Sequence, residues 1–325
     1  MSATLHITNG SSSQRIMQQA AIRGDIFTWH DVLHEGPVPA DMTLPELSTV
    51  RARFIAEQCG ESYDEVLDAF ITRDNALMSF QDYEALYLWF EHDLYDQLQL
   101  IQILNWLATQ DLKDSNIQLI CEPCYLGCIS ASEMSALQDK AKPLTYEQIA
   151  IATTAWQAFT LPTPEEWFRL LKQDTKSLPF LQGAVLRLLQ EYPHVNSGLS
   201  LTQQSALTAI CGQPRSPNQI FSSYQQNEER RFMGDLTFWG YLAQMVYCDP
   251  PLIEVLDGQR LTLNHSSSQQ LAITETGKSV LQGKKVYPGL SEVDRWVGGV
   301  HLTRENLWCW DESNLAIVKQ AVSQR

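Results

Sequence analysis

Short apolar runs alternate with amphipathic stretches over the first third of the chain. Four runs have the length and composition of buried strands, at 5–8, 25–29, 85–90 and 116–122. Between them, apolar residues spaced three and four apart in 44–58 and 95–109 predict amphipathic helices. Strands that alternate with helices predict an α/β, Rossmann-like domain with a mostly parallel sheet, which we place at residues 1–145.

The pattern changes after residue 145. It is helical from 145 to 245, and two apolar strands follow at 251–256 and 269–274, directly before ETGKSVLQG. Helices followed by a strand pair and the tail L-x-I-T-x-x-G-x-x-V-L resemble a winged helix. Segment 294–312 predicts one two-stranded hairpin packed by three tryptophans, Trp296, Trp308 and Trp310. We therefore predict a mainly helical second domain over 146–325 with a winged-helix-like part and a C-terminal hairpin.

The composition fits this two-domain reading and restricts the partners. A chain of 325 residues exceeds a typical single core, and 44% hydrophobic with 19% charged residues is ordinary for a globular protein. The net charge of -15 works against non-specific attraction to nucleic acid or anionic lipid. The candidate recognition segments, 200–210 and 216–226, contain no Lys or Arg, which further disfavours DNA as a partner.

The lack of a recognisable targeting signal and the number of cysteines indicate the cellular compartment. The N-terminal MSATLHITNG lacks a basic and apolar leader, and no window has the roughly 20 apolar residues of a membrane span. We expect a cytoplasmic protein with no membrane contact, in which seven cysteines, an odd number, remain reduced. Metal or redox use of Cys121, Cys124 and Cys128 stays open but is disfavoured, because no second ligand pair follows at a zinc-site spacing. The sequence gives no indication of the oligomeric state.

Ligands of open α/β sheets bind beyond the carboxyl ends of the strands, and polar residues follow the first strand here. These are Thr8, Asn9, Gly10, Ser11 and Ser12. Backbone N–H groups of a turn that opens a helix can bind an anion, although the serines could instead cap the helix. Neither a phosphate loop of the Walker type nor a dinucleotide fingerprint is present.

Ionisable residues are densest after the third strand, in EHDLYDQ. Glu91 and Asp93 could flank a ligand hydroxyl, an amine or a hydrated magnesium ion, and His92 lies between them. Asp96 and Gln97 follow on the next helix as further ligand contacts. Asp93 could instead serve only as the cap of that helix.

The loop after the second strand adds Trp29, Asp31, His34 and Gly36 to the expected ligand-binding region. His30 and His34 are four residues apart, a spacing that would allow a zinc site on a helix. Gly36 and Pro37 directly afterwards argue against a continuous helix. We therefore favour a role for these histidines, and for His34 in particular, in proton transfer or hydrogen bonding over zinc binding, although both could simply be loop residues.

Several motifs together resemble the bacterial domain-of-unknown-function 1835 family. They are LHITNG (5–10), W-x-D-V-L-H-E-G-P-V-P (29–39), LWFEHDLYDQLQL (88–100), GDLTFW (234–239), LAITETGKSVLQG (271–283) and DRWVGGVHL (294–302). The chain departs from the family in having CEPCYLG at 121–127, where GEYLG-like text is expected. The family has no established activity, so the resemblance implies hallmark residues and no catalytic role.

Two function classes follow from these observations. The first is an enzyme, a hydrolase or a group-transfer enzyme, that binds a small polar or phosphorylated ligand at the carboxyl edge of the sheet. His34, His92, Asp93 and Glu91 would be its catalytic residues, with Asp93 and Glu91 orienting the substrate or a divalent cation. The alternative is an effector-binding regulator that contacts DNA or a protein through its winged-helix-like region. A scaffold that has lost its chemistry is a third, plainer option.

Overall fold

The computed structural model describes residues 4–263 and 268–320. Residues 1–3 of the first predicted domain, and residues 264–267 and 321–325 of the second, lie outside the described residues. Two compact units divide the chain: the first runs to Val185 and includes Gly298–Val300, and the second comprises the rest. The helix that begins at Tyr146 packs against the helix Leu94–Leu107, which places it in the first unit. The predicted boundary at 145 therefore marks a change of sequence pattern, and a domain division there stays a prediction.

A five-stranded sheet forms the centre of the first unit. Its strands are β1 (Thr4–Thr8), β2 (Asp25–Thr28), β3 (Ala85–Phe90), β4 (Ile117–Cys121) and β5 (Lys142–Pro143). The order is β2-β1-β3-β4-β5, and all neighbours are parallel except β4 and β5. The structure thus confirms a mixed α/β fold with a mostly parallel sheet. The sequence pattern missed β5 because its two residues are exposed and one is proline.

Helices connect these strands and continue beyond them. They are α1 (Ser11–Gln19), α2 (Leu44–Cys59), α3 (Tyr63–Met78), α4 (Leu94–Leu107), α5 (Ala131–Gln138), α6 (Tyr146–Thr160), α7 (Glu165–Arg169) and α8 (Leu181–Leu189). Short 3-10 turns lie at Phe80–Asp82, Leu126–Cys128 and Leu170–Lys172. Local sequence explains their starts: Thr43, for example, forms a capping box with Glu46 at the beginning of α2.

Side chains along each strand point alternately to the two faces of the sheet, so a separate core forms on each face. Trp89 and Ile120 point to the face covered by α1 and α5, where they pack with Met17 and Met134. Helix α4 is buried along almost its whole length and packs against α6. Strand order reverses between β1 and β3, because β1 leads to β2 on one side and β3 to β4 on the other. In open α/β sheets ligands bind at such a reversal, which lies here at the carboxyl ends of β1 and β3.

The second unit is helical, with short strands. Its elements are α9 (Leu201–Ala209), α10 (Pro217–Asn227), α11 (Asp235–Tyr247), β6 (Ile253–Val255), β7 (Leu271–Ile273), α12 (Glu275–Leu281), a 3-10 turn (Pro288–Glu292), β8 (Arg295–Val297), β9 (Val300–Leu302), β10 (Trp308–Asp311) and β11 (Ala316–Lys319). The predicted strand pair is present as antiparallel β6 and β7, and Arg215 bridges to Leu271 of β7.

The hairpin predicted for 294–312 is present in part: it consists of β8 and β9 and includes Trp296, but not the strand of Trp308 and Trp310. Strands β8 and β9 pair with each other, whereas β10 pairs in antiparallel fashion with β11, which lies beyond the predicted segment. Two glycines, Gly298 and Gly299, lie between β8 and β9, and the positive φ of 60° at Gly298 allows the tight turn there. Trp296 and Trp308 therefore belong to different strand pairs.

No described helix is both long enough and apolar enough to cross a membrane. Each of the seven cysteines is a free thiol.

A buried charge network stabilises the second unit. Glu191 is fully buried and accepts hydrogen bonds from Arg187 at 2.7 Å and from the Thr202 hydroxyl at 2.5 Å. Arg187 also donates from Nε to Glu228 at 2.7 Å, and Arg295 lies 3.8 Å from Glu191. Burial raises the pKa of Glu191, but the two arginines outweigh it and the pKa is lowered overall.

Glu191→Gln should lower the free energy of unfolding of the second unit by about 3 kcal/mol, because two buried guanidinium groups would lose a charged acceptor. Urea unfolding followed by tryptophan fluorescence measures this change. Glu229→Gln is the matched control, since the Glu229 side chain is 88% exposed and should change stability by less than about 0.5 kcal/mol. Equal effects of the two substitutions would show that the network contributes nothing special.

Candidate functional site

A direct hydrogen bond joins the ends of β1 and β3. Asn9 Nδ2 donates to Asp96 Oδ2 at 2.9 Å, so the first residue after β1 contacts the first turn of α4. Ser13 Oγ donates to Asn9 Oδ1 at 2.7 Å, and Thr8 Oγ1 donates to Ser13 Oγ at 2.9 Å. The structure thus brings together Thr8, Asn9 and Asp96, as predicted. Ser13, which fixes the Asn9 amide, was missed by the sequence reasoning.

Three buried carboxyl groups lie at this junction. Glu91, Asp93 and Asp96 each place an oxygen within 4.8 Å of the others. Asp93 caps α4, because the backbone N–H of Asp96 donates to Asp93 Oδ1 at 3.2 Å. The capping alternative for Asp93 is confirmed, and it does not exclude a second role, because the other two carboxyls face the same spot.

Backbone N–H groups hold the other two carboxyls. The Glu91 N–H donates to Asp96 Oδ1 at 2.6 Å, and the Leu126 N–H donates to Glu91 Oε1, also at 2.6 Å. The second bond ties the turn after β4 to the end of β3. Each of the three carboxyls therefore accepts a hydrogen bond from a backbone N–H group.

The protonation of this cluster is strongly shifted. Burial, reinforced by the negative charge of Glu91, raises the pKa of Asp93 to about 7. Burial and the charges of Asp93 and Glu91 raise the pKa of Asp96 well above its ordinary value, although the Asn9 amide opposes this shift. The cluster can therefore hold a proton near neutral pH, which isolated aspartates cannot.

Gln97 and Cys121 support the cluster from the side of β4. Gln97 Nε2 donates to the Glu91 carbonyl at 2.7 Å and contacts Cys121 Sγ at 3.4 Å. Burial raises the pKa of Cys121 to about 12 and also raises that of Cys124, so both thiols stay protonated. A cysteine-based mechanism, which the sequence already disfavoured, finds no reactive thiolate here.

The two predicted catalytic histidines, His92 and His34, lie in different surroundings. His92 is half-buried, with its ring centroid 5.1 Å from that of Tyr125 and 5.9 Å from that of Phe180. His34 is buried, with its ring edge-on to Tyr95 of α4 at 6.3 Å. Position after β4 could have nominated Tyr125, but no pattern in the sequence pointed to the other two aromatic residues.

The N-terminus of α1 opens onto the same edge. Gly10 is its N-cap residue in extended conformation, with no side-chain cap, so the expectation that the serines cap the helix is wrong. Ser11 and Ser12 are exposed, and a side chain at Gly10 would meet no atom within 4 Å. The backbone N–H groups of this first turn have no intrahelical acceptor, which is a property of every helix start.

The loop after β2 is held by a buried arginine. Arg51 of α2 forms an ion pair with Asp31 at 2.7 Å and donates to the carbonyls of Glu35 at 2.7 Å and Val32 at 3.1 Å. Gly36 in this loop has φ of +76°, and a Cβ there would lie 2.5 Å from the Phe54 ring. The sequence reasoning missed Arg51, although a charged residue on the apolar face of α2, four positions after Leu47, could have revealed it.

Trp29 and a second arginine complete this loop. Trp29 Nε1 donates to Gln102 at 3.0 Å, and the Arg73 guanidinium lies 4.4 Å from the Trp29 ring centroid. The structure therefore gives Trp29, Asp31 and Gly36 structural contacts, and their contact with a ligand stays a prediction. His30 is exposed, bonds to Thr28, and shares no helix with His34. Among the described residues, the carboxyl cluster is the one grouping with metal-ligand spacing.

Comparisons with protein-family models and with curated proteins found no match for this chain.

Arg51→Met should lower the free energy of unfolding by about 3 to 5 kcal/mol, because it leaves Asp31 as a buried charge without its closest partner. Denaturant unfolding measures the loss. Arg53→Met is the matched control on the same helix, since Arg53 is exposed. A loss no larger than that of Arg53→Met would contradict the structural role of Arg51.

Asp93→Asn should stabilise the protein above about pH 7 in the presence of a chelator. An aspartate whose pKa rises from 3.8 to about 7 on folding contributes stability that is present below 3.8 and lost as the pH rises through 7. The full loss is about 4 kcal/mol, and asparagine avoids it while remaining a good N-cap.

Urea unfolding of both proteins between about pH 4 and pH 8 tests this prediction. The difference in stability should grow with pH, and Asp111→Asn is the control for loss of an exposed carboxylate. A constant difference between Asp93→Asn and the wild type across this range would mean that Asp93 titrates normally.

Proposed function

We propose that the first unit binds a small polar, phosphate-bearing ligand in the crevice beyond β1 and β3, and acts on it by hydrolysis or group transfer. One observation carries the proposal: the Asn9–Asp96 hydrogen bond of 2.9 Å joins the two strand ends where the strand order reverses, beside three buried carboxyls. Ligands of doubly wound sheets bind at this place in the topology.

The anionic part of the ligand would lie at the N-terminus of α1. Its first turn carries no acidic residue, and Ser11 and Ser12 are exposed there. Free N–H groups and the positive end of the helix dipole favour a phosphate group. The hydroxyls of the two serines add donors next to the backbone groups.

Asp93 would exchange a proton with the ligand. Its raised pKa of about 7 leaves it part protonated near neutral pH, where a general acid or base is most effective. His92, next to it in the chain, is half-buried and would assist. His34 is fully buried behind Tyr95, which makes it a weaker candidate for direct transfer.

A divalent cation accompanying the phosphate fits the same carboxyls. Carboxylate oxygens are the ligands that magnesium and calcium prefer, and three of them converge within 4.8 Å here. A cation would neutralise charges that otherwise repel one another. The cation would then be bound more tightly together with the phosphate than alone.

Ser12→Asp should abolish binding of inorganic phosphate without loss of stability. A carboxylate at the second position of α1 repels the anion, while it interacts favourably with the helix dipole. Ser132→Asp is the matched control, because Ser132 is the exposed second residue of α5. Calorimetry with millimolar phosphate and magnesium gives the affinities, and thermal melting gives the stabilities.

Two results would count against the proposed site. One is that phosphate binds equally well to the Ser12→Asp and Ser132→Asp proteins. The other is that both His92→Ala and Asp93→Asn leave ligand binding unchanged, since the proposal gives both residues a contact with the ligand.

We also propose that the chain belongs to the domain-of-unknown-function 1835 family. The motifs HITNG and E-x-D-x-x-D-Q, which carry the resemblance, supply Asn9 and Asp96, the two residues that join the strand ends. Two motifs that are distant in the sequence thus meet at one place in the fold, which supports membership.

A second candidate function is regulation through a winged-helix-like part in residues 146–325. The observation in its favour is the order α9, α10, α11, β6, β7, with Arg215 before α10 bridging to β7. None of these three helices contains Lys or Arg, so contact with a protein is favoured over contact with DNA. A labelled duplex should show no mobility shift even at low salt.

A further inference from the structure

Three aromatic side chains from separate parts of the chain meet beside the carboxyl cluster. His92 follows β3, Tyr125 follows β4, and Phe180 precedes α8. Their ring centroids lie 5.1 Å apart for His92 and Tyr125, and 5.9 Å apart for His92 and Phe180. All three are half-buried, so the ring cluster that they form presents part of its surface to solvent.

The position of the ring cluster relative to the carboxyls is fixed. His92 lies between Glu91 and Asp93, and the residue after Tyr125 donates its backbone N–H to Glu91 at 2.6 Å. Neither His92 nor Tyr125 can therefore move far from the carboxyls. One ligand of moderate size could contact both groups.

The same turn also reaches the N-terminus of α1. A Cβ placed on Gly127 would lie 2.7 Å from Ser12 Cβ, so the turn Leu126–Cys128 packs directly on the first turn of α1. The ring cluster, the carboxyls and the helix start are thus linked through consecutive residues of one turn. An aromatic surface, hydrogen-bond acceptors and the start of a helix therefore lie next to one turn.

We propose that the ligand is a nucleoside phosphate whose base stacks on the ring cluster of His92, Tyr125 and Phe180. This inference rests on the proposed function and names its substrate class. The flat face of a base matches the exposed aromatic surface, and stacking of this kind contributes to affinity for every base. Ribose hydroxyls or N–H groups of the base donate to Glu91 and Asp93, as acidic residues do for ribose in other doubly wound sheets. The phosphate lies at Ser11 and Ser12.

A sugar phosphate without a base fits the site less well. It would satisfy the carboxyls and the helix start, but it would leave the aromatic surface in water. The site should therefore discriminate between the two kinds of ligand. A nucleoside monophosphate should bind about tenfold more tightly than ribose 5-phosphate, because one stacked base contributes about that factor to the affinity.

Calorimetric titration of the full chain tests the proposal with three probes: adenosine or guanosine monophosphate, ribose 5-phosphate and inorganic phosphate. Tyr125→Leu and Phe180→Leu should each remove most of the tenfold advantage of the nucleotide and leave the affinity for ribose 5-phosphate unchanged. Tyr63→Leu is the matched control, a half-buried tyrosine on α3 that contacts Arg53. Circular dichroism checks that each variant folds. If one of the two leucine variants does not fold, the other is sufficient to test the proposal.

The outcomes separate the two levels of the argument. Equal affinity for the nucleotide and for ribose 5-phosphate overturns the base-stacking proposal and leaves the proposed function intact. A nucleotide advantage that survives both leucine variants also overturns it, because the base would then lie elsewhere. Absence of binding for all three probes, or binding that Ser12→Asp does not weaken, refutes the proposed function itself.

Discussion

Parallel pairing of β1 with β3 is the constraint on which the site depends. The register sets Thr8 opposite Trp89, so both strands end at the same edge and the residues that follow them emerge side by side. Right-handed crossovers send α1 and α4 to opposite faces of the sheet, because β2 lies on one side of this pair and β4 on the other. The two helix starts are thereby separated, and Asn9 and Asp96 close the gap between them. No other neighbouring pair in the sheet has this geometry.

The buried carboxyls are tolerable because backbone groups compensate part of their cost. The N-terminus of α4 offers N–H donors and a positive dipole end to Asp93, and the Glu91 and Leu126 amides serve the two remaining carboxyls. The compensation is incomplete, since the pKa of Asp93 still rises to about 7. Because of this raised pKa, the folded protein is less stable above about pH 7. The same shift allows the cluster to release or accept a proton under neutral conditions. This exchange of stability for reactivity is typical of functional sites.

Sequence pattern predicted the part of this arrangement that depends on periodicity and strand ends. Four strands, their parallel order and the convergence of Thr8, Asn9, Glu91, Asp93 and Asp96 all follow from apolar runs that end in polar residues. What it missed depends on contacts between distant segments. Arg51 reads as one more surface charge until Asp31 is seen beside it, and Phe180 comes from a region whose pattern indicated only helix. The extra strand pair at β10 and β11 was missed because β11 is half exposed and begins at Ala316, beyond the aromatic segment.

The first unit handles two sets of buried acids in opposite ways, and the contrast bears on function. Behind the loop after β2, Asp31 and Asp74 are matched by Arg51 and Arg73, so that the charges cancel and the loop is held rigidly. At the carboxyl edge, neither Asp93 nor Asp96 forms an ion pair with any residue in 4–263 or 268–320. Arginines thus neutralise one set of buried acids in this unit, but not the set at the carboxyl edge. Asp93 and Asp96 are instead held by N–H donors, from the backbone and from the Asn9 amide, which offset only part of the rise in pKa that burial causes.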